Sequence, residues 1–315
     1  MDTMRFDEDV VIVTGAGRGL GREYALAFAR RGAAVVVNDP GTEPDETGET
    51  RSVAELVVAE ITELGGRAIA DTHSIATPDG ARTLVDAAIA GFGKVTILVN
   101  NAGIISFAPL PDISDEAWRV MQSVTLDGTF LMCRAVWPHM ASRGYGRIVN
   151  TTSNAGFAGN ETLIAYAAAK LGVAGLTKAL AQETHGTGIT VNAVAPMAVT
   201  RMNREVFFGG EDSAGSADWR DDIRSGRVPM GPPEAVAPAV LWLAHASTQI
   251  NGEIFSSSSG KVARVGFVVG EGFFDPHHGP EQLRDNAGAI CDLRNFLEPK
   301  CTADELAAIP PLYAA

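Results

Sequence analysis

The 315-residue chain contains few cysteines, only Cys133, Cys291 and Cys301. Three is an odd number and the spacing is not that of metal ligands, so neither a disulfide framework nor a zinc site is expected, and the thiols read as structural or incidental. Positive charge is also short: 25 Lys and Arg stand against 38 Asp and Glu, a formal charge of −13. A general nucleic-acid binder needs concentrated positive potential, so that class is set aside, although a local basic pocket is still compatible. No apolar run approaches the ~18 residues of a membrane helix, and no membrane partner is expected. The opening "MDTMRFDEDVVIVTG" lacks a basic segment followed by a long apolar one, so no secretion signal is expected and a cytoplasmic location follows by default. His277 and His278 follow Asp275 with nothing nearby to complete a ligand set, which favours a solvated loop and no metal site.

What is present suits an α/β globule: 46% hydrophobic residues, 20% charged and 34 glycines. From residue 9 to about 258, short β-branched runs alternate with longer Ala- and Leu-rich stretches. "DVVIVTG", "AAVVVND", "GRAIAD", "KVTILVNNAG", "GRIVNTTS", "GITVNAVAP" and "GEIFS" read as seven strands. Their near-continuous Val and Ile predict strands covered on both faces, hence a doubly wound seven-stranded parallel sheet with helices on each side. Helical spacing is found at about 19–31, 51–64, 79–91, 115–140, 164–184 and 234–246. Residues 1–260 form the expected domain, including an irregular, charge- and glycine-rich segment at 197–232 of the kind that covers or binds a ligand. Residues 40–50 read as a loop outside the core. Residues 261–315 read as a C-terminal extension that packs on the domain or on a neighbouring subunit.

The first strand runs into "TGAGRGLG", with Gly15, Gly17, Gly19 and Gly21 ahead of an apolar helix. Such a turn lets backbone approach a pyrophosphate, and the new helix offers free N–H groups to its charge. The general dinucleotide spacing G-x-G-x-x-G is not met, because Leu20 and Arg22 occupy the third positions; a plain tight turn is the alternative. The second strand ends at Asp39, where a carboxylate can accept from both hydroxyls of an adenosine ribose and repel a 2′-phosphate, favouring NAD over NADP. Arg18 pulls the other way, since a guanidinium pairs readily with phosphate. Asp39 before Pro40 also has an ordinary reading as a turn residue.

The stretch "SNAGFAGNETLIAYAAAK" places Ser153 thirteen residues before Tyr166 and Tyr166 four before Lys170. Taken singly, these are a turn serine, a packed aromatic and a solvated helix lysine. With "TGAGRGLG" and "NNAG" at 100–103, their joint spacing resembles the short-chain dehydrogenase/reductase family over roughly residues 8–258. Tyr166 and Lys170 lie on one helix face, one turn apart. A nearby ammonium stabilises phenolate, so the tyrosine pKa is expected to fall from ~10 toward the working pH.

The resemblance implies a Rossmann-fold enzyme in which Tyr166 handles a hydroxyl proton, Ser153 bonds the same substrate oxygen, and Lys170 also holds the nicotinamide ribose. It implies cofactor contacts from Gly15, Arg18, Gly19, Leu20, Gly21, Asp39, Ser74, Ile75, Asn101, Ala102, Gly103, Tyr166, Lys170, Pro196 and Thr200, with NAD as cofactor. Asn101 would also pin the central strands. Two positions depart from the family: Thr125 stands in "TLDGTF" for the usual catalytic Asn, so a water-borne proton relay is weakened or rerouted, and His73 stands where an Asp often meets adenine. Pro196 and Met197 replace the commoner Pro-Gly.

Blocks such as "VVVNDPG", "YGRIVNTTSNAGFAGN" and "APMAVTRM" resemble the dehydrogenase unit of the peroxisomal multifunctional enzyme type 2 subfamily, which oxidises (3R)-hydroxyacyl-CoA and some 17β-hydroxysteroids. That implies a small-molecule, lipid-like substrate and a homodimer or homotetramer. Met197, Met202, Val206, Phe207 and Phe208 offer apolar lining, and Arg201, Arg204, Arg220, Arg224 and Arg227 possible phosphate partners. The alternatives are an NADPH-dependent ketoreductase of another substrate class and a dinucleotide-binding sensor with little turnover.

Overall fold

Val10–Thr14 (β1) and Ala34–Asn38 (β2) are built almost wholly of buried β-branched residues, and they pair in parallel at the centre of a sheet. The computed structural model describes residues 3–44, 50–200 and 230–309. After β1 come Gly19–Ala29 (α1), β2, a ribbon of Thr42–Pro44 (β3) and Thr50–Ser52 (β4), Val53–Glu63 (α2) and Arg67–Asp71 (β5). Pro78–Phe92 (α3), Ile97–Asn100 (β6), Asp115–Gln122 (α4), Gly128–Arg143 (α5) and Gly146–Thr151 (β7) follow. Asn154–Ala158 (α6), Ile164–Glu183 (α7), Ile189–Pro196 (β8), Ala237–Ala244 (α8), Ile254–Ser258 (β9) and Lys261–Val265 (β10) complete the sheet-bearing part.

The strand order is β10-β9-β8-β7-β6-β1-β2-β5. The seven strands expected from sequence are all present and parallel to their neighbours. An eighth, β10, joins them from the stretch assigned to the extension. Ser259 and Gly260 both have positive φ, 49° and 83°, the backbone of a two-residue hairpin turn, so β10 folds back antiparallel on β9. The 40–50 loop likewise carries β3, which pairs antiparallel with β4.

Alternate residues of one strand serve opposite faces of the sheet. Val11, Val13, Val35 and Val37 pack with Tyr24 and Phe28 of α1 and Leu241 of α8. Ile12, Val36 and Leu98 face Leu84 of α3 and Met132 and Val136 of α5. The chain winds from β1 outward to β2 and β5, then returns to β6 on the other side of β1. That reversal opens a crevice at the carboxyl ends of β1 and β6, the place where doubly wound sheets hold ligands. Helix α7 is long and apolar enough by composition to cross a membrane, yet its Ala169, Val173, Ala174 and Thr177 are buried and it lies against β7 and β8.

Residues from Val265 onward form a second compact unit. Within it, Val269–Gly270 pairs antiparallel with Phe296–Leu297, short helices span Pro280–Asp285, Ala287–Ile290 and Thr302–Ala308, and His278 Nδ1 hydrogen-bonds the Asp275 carbonyl.

Candidate active site

Thr14 closes β1 with its hydroxyl oxygen accepting from the backbone N–H of Asn101 and of Ala102, both at 3.1 Å. The Asn101 amide returns two bonds, donating at 3.0 Å to the carbonyls of Thr14 and Gly15. The ends of β1 and β6 are thereby tied across the crevice. The glycines that follow are needed for different reasons. Gly15 has φ +62°, and a Cβ there would stand 2.8 Å from Ala102 Cα. At Gly17 it would be 2.2 Å from Val53 Cγ2, and at Gly21 2.2 Å from the Gly15 carbonyl oxygen. Gly19, with φ +54°, meets nothing nearer than Thr200 Cγ2 at 3.8 Å. The turn is thus packed tightly beneath and open at Gly19, where α1 begins with no acid in its first turn. Free N–H groups facing open space at a helix start suit a pyrophosphate, so this cradle fits a dinucleotide. The Leu20 side chain is partly buried and packs against the core.

The Asp39 carboxylate accepts from the backbone N–H of Gly17 at 3.0 Å and of Gly41 at 2.8 Å. It therefore holds the glycine turn as well as ending β2. Arg18 does not stand free: it donates to Glu43 from Nε at 3.2 Å and Nη2 at 3.0 Å, and to the Thr42 carbonyl at 3.0 Å. At the end of β5, buried Asp71 accepts from Asn38, from the His73 backbone and from the His73 ring. Ser74 is exposed and Ile75 is buried against Gly128.

On the other side of the crevice, Ser153 follows β7 and caps α6, its hydroxyl accepting from Ala155 N–H at 3.2 Å. Tyr166 and Lys170 come from the first turns of α7. Lys170 is buried and Nζ donates to the Thr151 carbonyl at 2.7 Å; burial alone lowers its pKa from 10.5 to about 8. The ammonium lies 5.8 Å from the Tyr166 ring centre. The expectation of a lowered tyrosine pKa is corrected here: burial raises the Tyr166 hydroxyl above its usual 10.0, a hydrogen bond with Ser153 opposing it. The ammonium is spent on a backbone carbonyl, so desolvation dominates.

Thr125 lies in a π-helical turn, Ser123–Asp127, that joins α4 to α5. It is fully buried; its hydroxyl donates to Met121 Sδ at 3.7 Å and its carbonyl accepts from Thr129 Oγ1 at 2.8 Å. A Cβ built on Gly103 would lie 3.3 Å from Lys170 Nζ and 3.7 Å from Thr125 Oγ1, which brings β6, α7 and the π-turn to one point. Pro196 ends β8; beyond it Met197 N–H donates to the Ser257 carbonyl, and Met197 Sδ accepts from the Asn154 amide at 3.3 Å. Met202, Val206, Phe207 and Phe208, with the five arginines from Arg201 to Arg227, lie outside the described residues.

Sequence reading did not single out Glu43, the Thr151 carbonyl or the π-turn as parts of this site. Glu43 sits in a polar loop where an acid is unremarked, and a backbone acceptor leaves no mark in a side-chain pattern.

The family model for short chain dehydrogenases matches residues 9–208. Peroxisomal multifunctional enzyme type 2 of Mus musculus is 40% identical over 310 residues, covering 97% of this chain and 40% of its own length. The chain thus spans about two fifths of the multifunctional relatives from mouse and Drosophila melanogaster that it matches. A 7α-hydroxysteroid dehydrogenase solved with NADH and 7-oxo glycochenodeoxycholic acid superposes with a TM-score of 0.68 at 31% identity, over 81% of this chain and 94% of that one. A Beutenbergia cavernae protein described as an NAD(P)-dependent gluconate 5-dehydrogenase, with bound NADP, gives 0.68 at 33% identity, over 80% and 96%.

Proposed function

The chain belongs to the short-chain dehydrogenase family, and we propose that within it the protein is an NAD-dependent oxidoreductase. It interconverts a secondary alcohol and a ketone on a lipid-like substrate, a 3-hydroxyacyl-CoA or a hydroxysteroid. The observation that carries this reading is the convergence of Ser153, Tyr166 and Lys170 at the carboxyl edge, across the crevice from the open glycine cradle. A nicotinamide dinucleotide, when bound, supplies the hydride chemistry.

The chain's own groups account for the rest. The Ser153 hydroxyl lies near enough to Tyr166 to favour its phenolate, so an alcohol oxygen placed against both hydroxyls is oriented and held for proton transfer. Tyr166 is protonated at neutral pH, ready to donate to a ketone oxygen; for oxidation it must first lose that proton, which Lys170 favours as its positive charge turns toward a forming phenolate. The Thr125 hydroxyl and Lys170 Nζ both border Gly103, which supports a water-borne proton exchange between them. Asp39, and an Arg18 already engaged by Glu43, support NAD rather than NADP.

Likeness to the multifunctional enzymes supports the acyl-CoA class, and likeness to the 7α-hydroxysteroid dehydrogenase the steroid class. Exposed Trp118, Val120 and Phe130 on α4 and α5, with Ile164 and Leu171 on α7, support a homodimer or homotetramer. The test is the rate of NAD reduction with a panel of (3R)-hydroxyacyl-CoAs and 17β-hydroxysteroids, comparing wild type with Tyr166→Phe. Turnover in the wild type, reduced about 10²–10⁴-fold in the variant, is expected. Activity confined to small sugars or polyols would overturn the substrate class. An Arg18 released from Glu43 would favour a second reading, an NADPH-dependent ketoreductase, which a cofactor preference for NADPH would establish.

A further inference from the structure

We infer that Glu43 is a cofactor-specificity residue: it engages the Arg18 guanidinium and so withholds it from a 2′-phosphate on the adenosine ribose. This rests on the reading above only in placing that ribose at Asp39. Arg18 is the N-cap residue of α1, at the lip of the cradle. Its guanidinium and the Asp39 carboxylate border the same small gap, since a Cβ on Gly41 would lie 2.9 Å from Asp39 Oδ1 and 3.2 Å from Arg18 Nη1. An arginine at that place is well suited to grip a phosphate, in forked geometry and with full charge.

The Nε–Nη2 edge of that fork is already occupied. Two of its nitrogens bond Glu43 and one of these also reaches the Thr42 carbonyl, while the Asp39 carboxylate stays on the ribose side, bonded to Gly17 and Gly41. The ribbon that carries Glu43 is held from two directions: β3 pairs with β4, and β4 runs directly into α2. Glu43 also stands opposite Arg51 across the ribbon. An incoming 2′-phosphate therefore meets two carboxylates, Asp39 and Glu43, and must displace Glu43 to take the forked Nε–Nη2 edge of Arg18. Asp39 discriminates by repulsion and Glu43 by competition, so the two act on NADP by separate routes.

The experiment is fluorescence titration of NADH and NADPH binding, without substrate, to the wild type, Glu43→Gln, Arg18→Ala and the double variant. Glu43→Gln keeps the side-chain volume and removes the charge. It is expected to raise the NADPH-to-NADH affinity ratio about tenfold, the scale of one charge-assisted hydrogen bond regained. Arg18→Ala is expected to cost about tenfold more NADPH affinity in the Glu43→Gln background than in the wild type. An unchanged ratio in Glu43→Gln overturns the inference, as does a gain that survives in the double variant, which would assign it to Arg51 instead. A wild type that binds NADPH more tightly than NADH overturns the NAD reading, and the shift caused by Glu43→Gln still decides the role of Glu43.

Discussion

Arg18, on the cofactor half of the carboxyl edge, lies against Glu43 and the Thr42 carbonyl, and its neighbour Asp39 is bonded by two backbone N–H groups. Lys170, on the other half, is buried and donates to the Thr151 carbonyl. The first cation is met by opposite charge at a partly exposed site; the second is met by burial, which brings its pKa down to about 8. Tyr166 beside it is driven the opposite way by the same cause. Binding a dinucleotide needs a receptor already in its final charge state, whereas moving a proton needs groups held close to changing theirs. The two halves of one sheet edge are built to these separate requirements.

The contrast is broken most severely at Lys170. Lys170→Met is expected to lower turnover by roughly the 10²–10⁴-fold that a positioned proton-transfer assembly provides, and to raise the melting temperature of the free protein at pH 7, because a desolvated ammonium is removed. The sign in pH follows from the depressed value. Between about 8 and 10.5 the unfolded chain holds the extra proton, so wild-type stability rises with pH across that window, and the Met variant loses this rise. Thermal melts of both proteins from pH 7 to 11 measure it.

Gly17→Ala tests the cofactor half at its tightest point. The added methyl meets Val53 at 2.2 Å and Asp39 Oδ2 at 2.9 Å, so a loss of about 1–3 kcal/mol in urea unfolding is expected, together with weaker dinucleotide binding as Asp39 is displaced. Gly19→Ala sharpens the point by having the smallest effect. Its methyl enters open space, leaving only the left-handed φ of +54°, and unfolding should show about 1 kcal/mol. A Gly19 variant less stable than the Gly17 variant would mean that the turn is governed by backbone conformation and not by packing.

Much of this was legible in the sequence. The seven parallel strands follow from uninterrupted Val and Ile, because burial on both faces leaves no room for polar alternation. Ser153, Tyr166 and Lys170 were found by spacing, since four residues on a helix amount to one turn. What escaped depends on contacts distant in sequence or on backbone. "KVARV" has only exposed or half-buried residues as β10, so its composition carries no core signal. Glu43 acquires meaning only when the chain folds it back over Arg18, 25 residues earlier. The Tyr166 shift reversed because helical spacing predicts the proximity of Lys170 but not which acceptor its ammonium faces.

The π-turn at Ser123–Asp127 has a consequence for chain length rather than for composition. A wider turn accommodates an extra residue between α4 and α5, and each residue in a helix advances the face by about 100°. Deleting one residue there would leave an uninterrupted α-helix with its two flanks still in phase, yet would re-aim the side chains inside the turn itself. Thr125 would then lose its place beside Gly103 and Lys170, while Gln122, which reaches the Ala165 carbonyl beside Tyr166, and Met132 and Val136 in the sheet-facing core would keep theirs. Substitution is tolerated wherever a side chain faces solvent, but the residue count of this turn is itself part of the active-site geometry, because it decides where Thr125 points.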